Sequence, residues 1–123
     1  MSPLYVKTGT PTTPADSSDA MQNDAPLKMP DACASLLEVR EAIDILDAQL
    51  VALMAVRQAY IERAAKLRTK REEVGDRERI KEMLGKVIAE GKRTGLSAQI
   101  AEPVWRALIE ASVRHEIQAF EKR

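Results

Sequence analysis

Apolar residues recur at alternating steps of three and four along the middle of the chain, beginning just after Ser35. This spacing predicts a single helix of roughly 35 residues, about 50 Å long at 1.5 Å per residue. Two short helices of the same chain cannot cover a rod of that length, so we expect a second copy of this helix to pack against it. The positions in the series are Leu36, Val39, Ile43, Leu46, Leu50, Leu53, Arg57, Tyr60, Ala64 and Leu67.

Two shorter amphipathic helices are predicted to follow. Gly75 interrupts the first helix, and Asp76 is the predicted N-cap of the second, which should stop near Gly91. Ser97 is the predicted N-cap of the third helix, but Pro103 removes a backbone hydrogen bond, so this helix should be kinked or should begin later. No segment has the alternation of a strand. The pattern predicts an all-α, three-helix subunit that forms a homodimer.

The composition limits which binding partners and which cellular location are expected. Residues 1–31 are rich in Pro, Thr, Ser and Asp, which predicts a disordered tail before a helical domain at residues 32–123. Lys plus Arg equals Asp plus Glu at 19 each, so no net charge favours nucleic acid or an anionic membrane surface. No stretch reaches the ~20 apolar residues of a membrane span, and Cys33 is the single cysteine. We therefore expect a cytoplasmic protein.

Several polar residues interrupt the apolar faces. Arg57 lies in the stripe of the first helix, where burying it unpaired would cost several kcal/mol, so an ion-pair partner or a ligand is expected. Arg68 falls on the same face eleven residues later, whereas Arg40 is about 25 Å away along the helix axis. On the third helix, Ser112 and Glu116 point the same way. Glu116 is expected either to pair with one of the arginines or to serve a function.

The arrangement predicts a cavity in a helical dimer that is lined by arginines, one or two glutamates and a serine. Glu78 belongs to this set or simply favours the dipole of the second helix, whose first turn it occupies. Cys33 and His115 lie outside the set, and His115 is interpreted as a surface or hydrogen-bonded residue. Fixed cations without a nucleophile or a metal-ligand cluster suit a small dicarboxylate whose reaction needs orientation and electrostatic stabilisation.

Three segments, "LLEVREAIDILDAQLVALMAVRQAYIERAAKLR", "DRERIKEML" and "LIEASVRHEIQAF", resemble the all-α chorismate mutases, a family of intertwined dimers of three-helix subunits. The most specific features are "VREAID" with Arg40, Arg57 seventeen residues later, and "DRER". The resemblance implies the pericyclic rearrangement of chorismate to prephenate in aromatic amino-acid biosynthesis. It also implies that the reaction uses no cofactor, no metal and no covalent intermediate.

The resemblance assigns substrate-binding roles to five residues. Arg57 resembles the arginine that clamps one carboxylate in its own subunit's site, and Arg40 the one that reaches the other carboxylate in the neighbouring subunit's site. Glu78 matches the carboxylate that accepts a hydrogen bond from the ring hydroxyl, and Arg77 precedes it in "DRER". Ser112 matches a small polar residue that lines the site.

The two residues with predicted catalytic roles both depart from the common bacterial pattern. Arg68 stands where the family usually has lysine; it can supply positive charge to the ether oxygen, but with a planar fork instead of a compact ammonium. Glu116 stands where bacterial members commonly have Gln and fungal relatives have Glu. Because a Glu donates to an ether oxygen only when protonated, we expect burial to keep Glu116 protonated and activity to fall as pH rises.

A second branch of the fold, the isochorismate pyruvate lyases, is also similar and is the main alternative. The loop from Arg68 to Glu78 has the length typical of that branch, whereas Arg77 and Ser112 are typical of the mutases. A third reading is a non-catalytic helical dimer that kept the fold, because of the Arg at position 68. The lyase branch shares "REAID" and the residues Cys33, Tyr60 and Ala64.

Overall fold

The structure, a computed structural model, describes residues 27–123. These residues form three α-helices, α1 (Leu36–Leu67), α2 (Arg77–Thr94) and α3 (Ala98–Lys122), with short 3₁₀ turns at Pro30–Ala32 and Arg71–Glu73. No strand is present in this part of the chain, so the predicted all-α fold with one long first helix is confirmed. None of its helices is long and apolar enough to cross a membrane. Most of the predicted tail, residues 1–26, lies outside the described residues.

α1 begins where the apolar pattern begins, because side chains satisfy its first free backbone groups. Ser35 Oγ accepts a hydrogen bond from the Glu38 N–H at 3.2 Å, and the Glu38 carboxylate accepts one from the Ala34 N–H at 2.6 Å. This arrangement is similar to a capping box, except that the Glu38 carboxylate bonds the N–H of the residue before the N-cap. Lys28 adds an ion pair to Glu38 at 3.2 Å. The helix then runs for 32 residues to Leu67, close to the predicted length.

The chain divides into two units, an N-terminal unit (Met1–Arg57) and a C-terminal unit (Gln58–Arg123). In the N-terminal unit, one face of α1 carries an apolar row that remains between 37% and 68% exposed. We call this row the α1 stripe; it consists of Leu36, Val39, Ile43, Leu46 and Leu50. A continuous apolar row of this length exposed on a single chain marks an interaction surface.

The C-terminal unit has a small core in which α2 packs against α3. α2 begins as predicted, because Asp76 Oδ1 accepts a hydrogen bond from the Glu78 N–H at 3.1 Å. It extends to Thr94 and so runs three residues past the predicted stop at Gly91. The Gly91 carbonyl still accepts a bond from the Gly95 N–H at 2.8 Å. The left-handed backbone at Gly95, with φ of 93°, ends the helix. The buried apolar residues of the unit are Ala65, Val74, Leu84, Ala101 and Ile109.

α3 begins at Ala98, with Ser97 as its N-cap. The Ser97 hydroxyl accepts from the Gln99 N–H at 3.1 Å, and its carbonyl accepts from the Ala101 N–H at 2.9 Å. The first turn therefore forms ahead of Pro103, which removes only one later hydrogen bond. Of the two alternatives for Pro103, the later start of this helix is wrong, and the kink stays a prediction.

Candidate active site

Arg68 and Glu116 form an ion pair that joins the end of α1 to α3. Arg68 Nε donates to Glu116 Oε2 at 2.8 Å. Glu116 is 4% exposed and is the one buried charged side chain among residues 27–123. Arg68 is the first residue beyond α1, and its N–H still bonds the Ala64 carbonyl at 3.0 Å. One of the two alternatives for Glu116, a salt bridge to an arginine, is therefore confirmed, and its partner is the other residue with a predicted catalytic role.

The electrostatics around Arg68 keep its guanidinium charged. The hydrogen bond to Glu116 raises the pKa of Arg68, and the nearby carboxylates of Glu73 and Asp76 raise it further, whereas burial acts in the opposite direction. The Glu116 side chain is buried, whereas the Arg68 side chain stays 35% exposed. Taking the Glu116 charge out of water offsets much of the attraction between the two charges. A contribution to folding stability is therefore a weak explanation for the presence of this ion pair.

The loop after Arg68 is ordered by one carboxylate and one glycine. Glu73 accepts hydrogen bonds from the Thr69 N–H at 3.0 Å, the Thr69 hydroxyl at 3.1 Å and the Lys70 N–H at 3.4 Å. These donors hold the pKa of Glu73 below its ordinary value of 4.5. Gly75 has φ of 80°, and a Cβ there would lie 3.2 Å from Val113 Cγ1 on α3. The left-handed backbone at Gly75 is therefore strained for any residue with a Cβ, and the close approach of Val113 adds crowding there.

Ser112, Arg77 and Glu78 differ in burial and in their place along the helices. Ser112 is half-buried and lies one turn before Glu116 on α3, so the predicted shared face is consistent with the helix. Arg77 and Glu78 are the first two residues of α2, and both are exposed. Within residues 27–123, no hydrogen bond or ion pair connects either of them to Arg68 or Glu116.

Arg40 and Arg57 belong to the N-terminal unit, where both lie on α1. Arg40 is exposed near the start of the helix, whereas Arg57 is half-buried. Burial lowers the pKa of the Arg57 guanidinium, so this charge is partly desolvated and gains from a bound anion. Seventeen helical residues separate the two by about 25 Å, so they cannot hold one small ligand from the same chain.

The two residues set apart from the site are accounted for by their surroundings. His115 Nε2 lies 2.6 Å from Glu62 Oε2, which confirms that His115 is hydrogen-bonded. This contact is the main cause that lowers the pKa of Glu62. Cys33 is a free, half-buried cysteine ahead of α1.

Sequence reasoning missed three groups that act on Arg68. Glu73 was not singled out, and its spacing of four from Thr69 is the signal that could have suggested a capping contact. Asp76 was predicted only as an N-cap, yet its charge also reaches Arg68. Arg123 Nη1 donates to the Arg68 carbonyl at 2.8 Å. The two residues are 55 positions apart in the sequence, so no local pattern predicts this contact.

The family described as chorismate mutase type II matches residues 39–117. The chain belongs to this family. The matched segment begins just before Arg40 and ends just after Glu116, so it includes every predicted site residue. The chain is also similar to an isochorismate pyruvate lyase from Pseudomonas aeruginosa, with 26% identity over 92 residues, which are 75% of this chain and 91% of that protein. The chain is thus a member of the chorismate mutase type II family that is also similar to a protein of the lyase branch.

Proposed function

We propose that this chain is a chorismate mutase that converts chorismate to prephenate in the two sites of a homodimer. The observation that carries the proposal is the 2.8 Å hydrogen bond from Arg68 to the buried Glu116. In this rearrangement the C–O ether bond breaks while a C–C bond forms, so neither a nucleophile nor a covalent intermediate is needed. What helps is a group that holds the reactive conformer and a cation that stabilises the charge growing on the ether oxygen.

Arg68 is the proposed source of that positive charge. Its Nε is engaged by Glu116, which leaves the terminal Nη groups of the fork to donate toward the substrate. The neighbouring carboxylates keep the guanidinium charged through the raised pKa of Arg68. A lysine ammonium would act as a point charge, whereas this fork adds direction.

Glu116 is the proposed donor to the ether oxygen. Its side chain is almost fully buried and is hydrogen-bonded to Arg68 at 2.8 Å, so it lies next to the proposed source of positive charge. A carboxyl group donates a hydrogen bond to an ether oxygen only in its protonated form. We therefore expect lower activity at higher pH.

The two substrate carboxylates are assigned to Arg57 of one subunit and Arg40 of the other. The partly desolvated Arg57 supports the first assignment, and the exposed α1 stripe supports an intertwined dimer that brings the second arginine in. Glu78 and Arg77 are assigned to the ring hydroxyl, and Ser112 to the wall of the site.

The proposal also includes a place in aromatic amino-acid biosynthesis and a cytoplasmic location. A reducing compartment suits the free Cys33.

The second candidate is isochorismate pyruvate lyase activity, which forms salicylate and pyruvate. Two observations favour it: the similarity to the Pseudomonas aeruginosa lyase, and the loop from Arg68 to Glu78, whose length is typical of that branch. The same arginines would serve an isomer that differs in its ring hydroxyl. Contacts from Arg77, Glu78 and Ser112 to that hydroxyl would then decide between the substrates.

A parallel assay tests both candidates. Protein purified from a host strain that lacks its own chorismate mutase is given chorismate or isochorismate, and prephenate, salicylate and pyruvate are followed, with Arg68→Ala as the inactive control. Dominant prephenate supports the mutase, whereas salicylate with pyruvate overturns it in favour of the lyase. If both substrates remain unchanged and a dicarboxylate transition-state mimic does not bind, the chain is a non-catalytic dimer.

A further inference from the structure

Arg123 caps the end of α1 from the far end of the chain. Its Nη1 donates to the carbonyls of Arg68 at 2.8 Å, Ala65 at 3.1 Å and Lys66 at 3.3 Å. The last carbonyls of a helix have no partner within the helix, and a cation at this end also interacts favourably with the helix dipole. The guanidinium stacks on Phe120, 3.8 Å from the ring centroid, which fixes its plane.

These contacts leave the backbone of Arg68 held on both sides. Its N–H bonds the Ala64 carbonyl at 3.0 Å, and its carbonyl accepts from Arg123 at 2.8 Å. Its side chain then ends on Glu116 at 2.8 Å. Two of these three attachments come from α3 or from the residue that follows it. The start and the end of the Arg68 side chain are thus both set by the same helix.

We infer that Arg123 is a positioning residue for Arg68. By holding the Arg68 carbonyl against the end of α3, it sets the direction from which the guanidinium reaches Glu116 and the ether oxygen of the substrate. The inference rests on the proposed function for the reaction that Arg68 serves, but the positioning itself exists in the free protein.

A nearby contact provides a matched comparison. Arg71 Nε donates to Glu121 Oε2 at 3.2 Å, and so ties the same loop to the same last turn of α3. Both side chains of that contact are more than half exposed, and neither touches the backbone of residues 65–68. Lys122 carries the same charge as Arg123 but makes no hydrogen bond or ion pair within residues 27–123.

The first test measures positioning without any substrate. The Arg68 Nε–H resonance is assigned in a ¹H–¹⁵N spectrum by its loss in Arg68→Lys, and its hydrogen exchange rate is then measured. We expect Arg123→Gln to raise that rate about tenfold, because a local restraint is lost. Lys122→Gln and Arg71→Gln should leave it unchanged. An unchanged rate in Arg123→Gln, or equal rises in all three variants, would overturn the inference.

The second test measures turnover. Arg123→Gln should lower kcat about tenfold with KM within about twofold, because misplacing a group that acts in the transition state costs rate more than ground-state binding. Arg123→Lys, which keeps the charge but loses the planar fork, should recover part of kcat, and Lys122→Gln should match wild type. A variant that loses only thermal stability, with kcat intact, would show that Arg123 is merely a helix cap.

The two tests separate the inference from the proposed function. If wild-type protein turns over neither chorismate nor isochorismate, the proposed function fails, while the exchange rate still decides whether Arg123 positions Arg68. Should Arg123→Gln not fold, Arg123→Lys takes its place in the exchange measurement. An exchange rate for Arg123→Lys that equals the wild-type rate would then overturn a role for the fork.

Discussion

The side chains of residues 36–57 and those of residues 58–123 differ in how far they find contacts within the chain. In the C-terminal unit, charged groups find partners within the chain: Arg68 pairs with Glu116, and Glu62 with His115. In the N-terminal unit, the α1 stripe stays 37–68% exposed from Leu36 to Leu50. The difference teaches that the C-terminal unit pairs these charged groups within the chain, whereas the N-terminal unit presents an apolar row that a second chain is expected to cover.

The largest effect is expected from a charge placed in the α1 stripe. Ile43→Asp would bury two carboxylates in a symmetric dimer, at several kcal/mol each, and should weaken the dimer about 10⁴-fold. Sedimentation equilibrium measures the dissociation constant. Ala55→Asp, at an exposed α1 position off the stripe, is the matched control and should remain dimeric. An unchanged dimer in Ile43→Asp would mean that the stripe is not the dimer interface.

The next largest effect is expected at Arg57. Arg57→Ala should lower kcat/KM about 10³-fold, because the guanidinium proposed to bind one substrate carboxylate is lost, while the protein stays folded. Exposed Arg63 on the same helix gives the control Arg63→Ala, which should keep full activity. If Arg57→Ala instead unfolds and its folded fraction keeps full activity, the role of Arg57 is structural.

Mixing two inactive variants tests whether each site is built from residues of both subunits. Arg40→Ala and Arg57→Ala subunits, refolded together in equal amounts, form heterodimers in which one of two sites regains both arginines. Random pairing should then restore about one quarter of wild-type activity. No recovery, with heterodimers demonstrated by mass spectrometry, would place both arginines in the same subunit's site or outside it.

A smaller, pH-dependent effect is expected at Glu116. The side-chain amide introduced by Glu116→Gln donates at every pH, so the fall in wild-type kcat expected between about pH 5 and 8 should flatten in this variant. Exposed Glu110 on the same helix provides the control, and Glu110→Gln should keep the wild-type profile. A flat wild-type profile, or an equally sloped one in Glu116→Gln, would contradict the proton-donor role.

The smallest effect is expected in the loop of the C-terminal unit. The pKa of Glu73 lies below its ordinary value of 4.5, mainly because of the backbone N–H donors of Thr69 and Lys70. Its stabilisation should be present above that value and disappear as pH falls through the lower folded pKa. Glu73→Gln should therefore lower the melting temperature by a few degrees at most at pH 7, and by less at pH 3. Glu72→Gln, its exposed neighbour, should show no such pH dependence.

The sequence predicted what local patterns encode. The spacing of apolar residues gave α1, and the capping residues Asp76 and Ser97 gave the starts of α2 and α3. Glu116 also stood out as a polar residue on the apolar face of α3, and in the structure its side chain is buried. Such features depend on residues a few positions apart.

Contacts across the chain were less accessible to prediction. The partner of Glu116 was predicted only as one of several arginines, and the contacts of Arg123 and Glu62 were not predicted. These pairs join residues 48 to 58 positions apart, and no periodicity relates such residues. The end of α2 was misplaced for a different reason, because Gly91 is tolerated inside the helix and the left-handed backbone that ends the helix is at Gly95.

The continuity of α1 limits where residues can be inserted into or deleted from this chain. Inserting one residue between Arg40 and Arg57 would turn one arginine about 100° relative to the other and move it 1.5 Å along the axis. A continuous helix has no bend in which to absorb that error. Insertions and deletions between Arg40 and Arg57 should therefore not be tolerated, because the length of α1 fixes the distance and the angle between the two arginines.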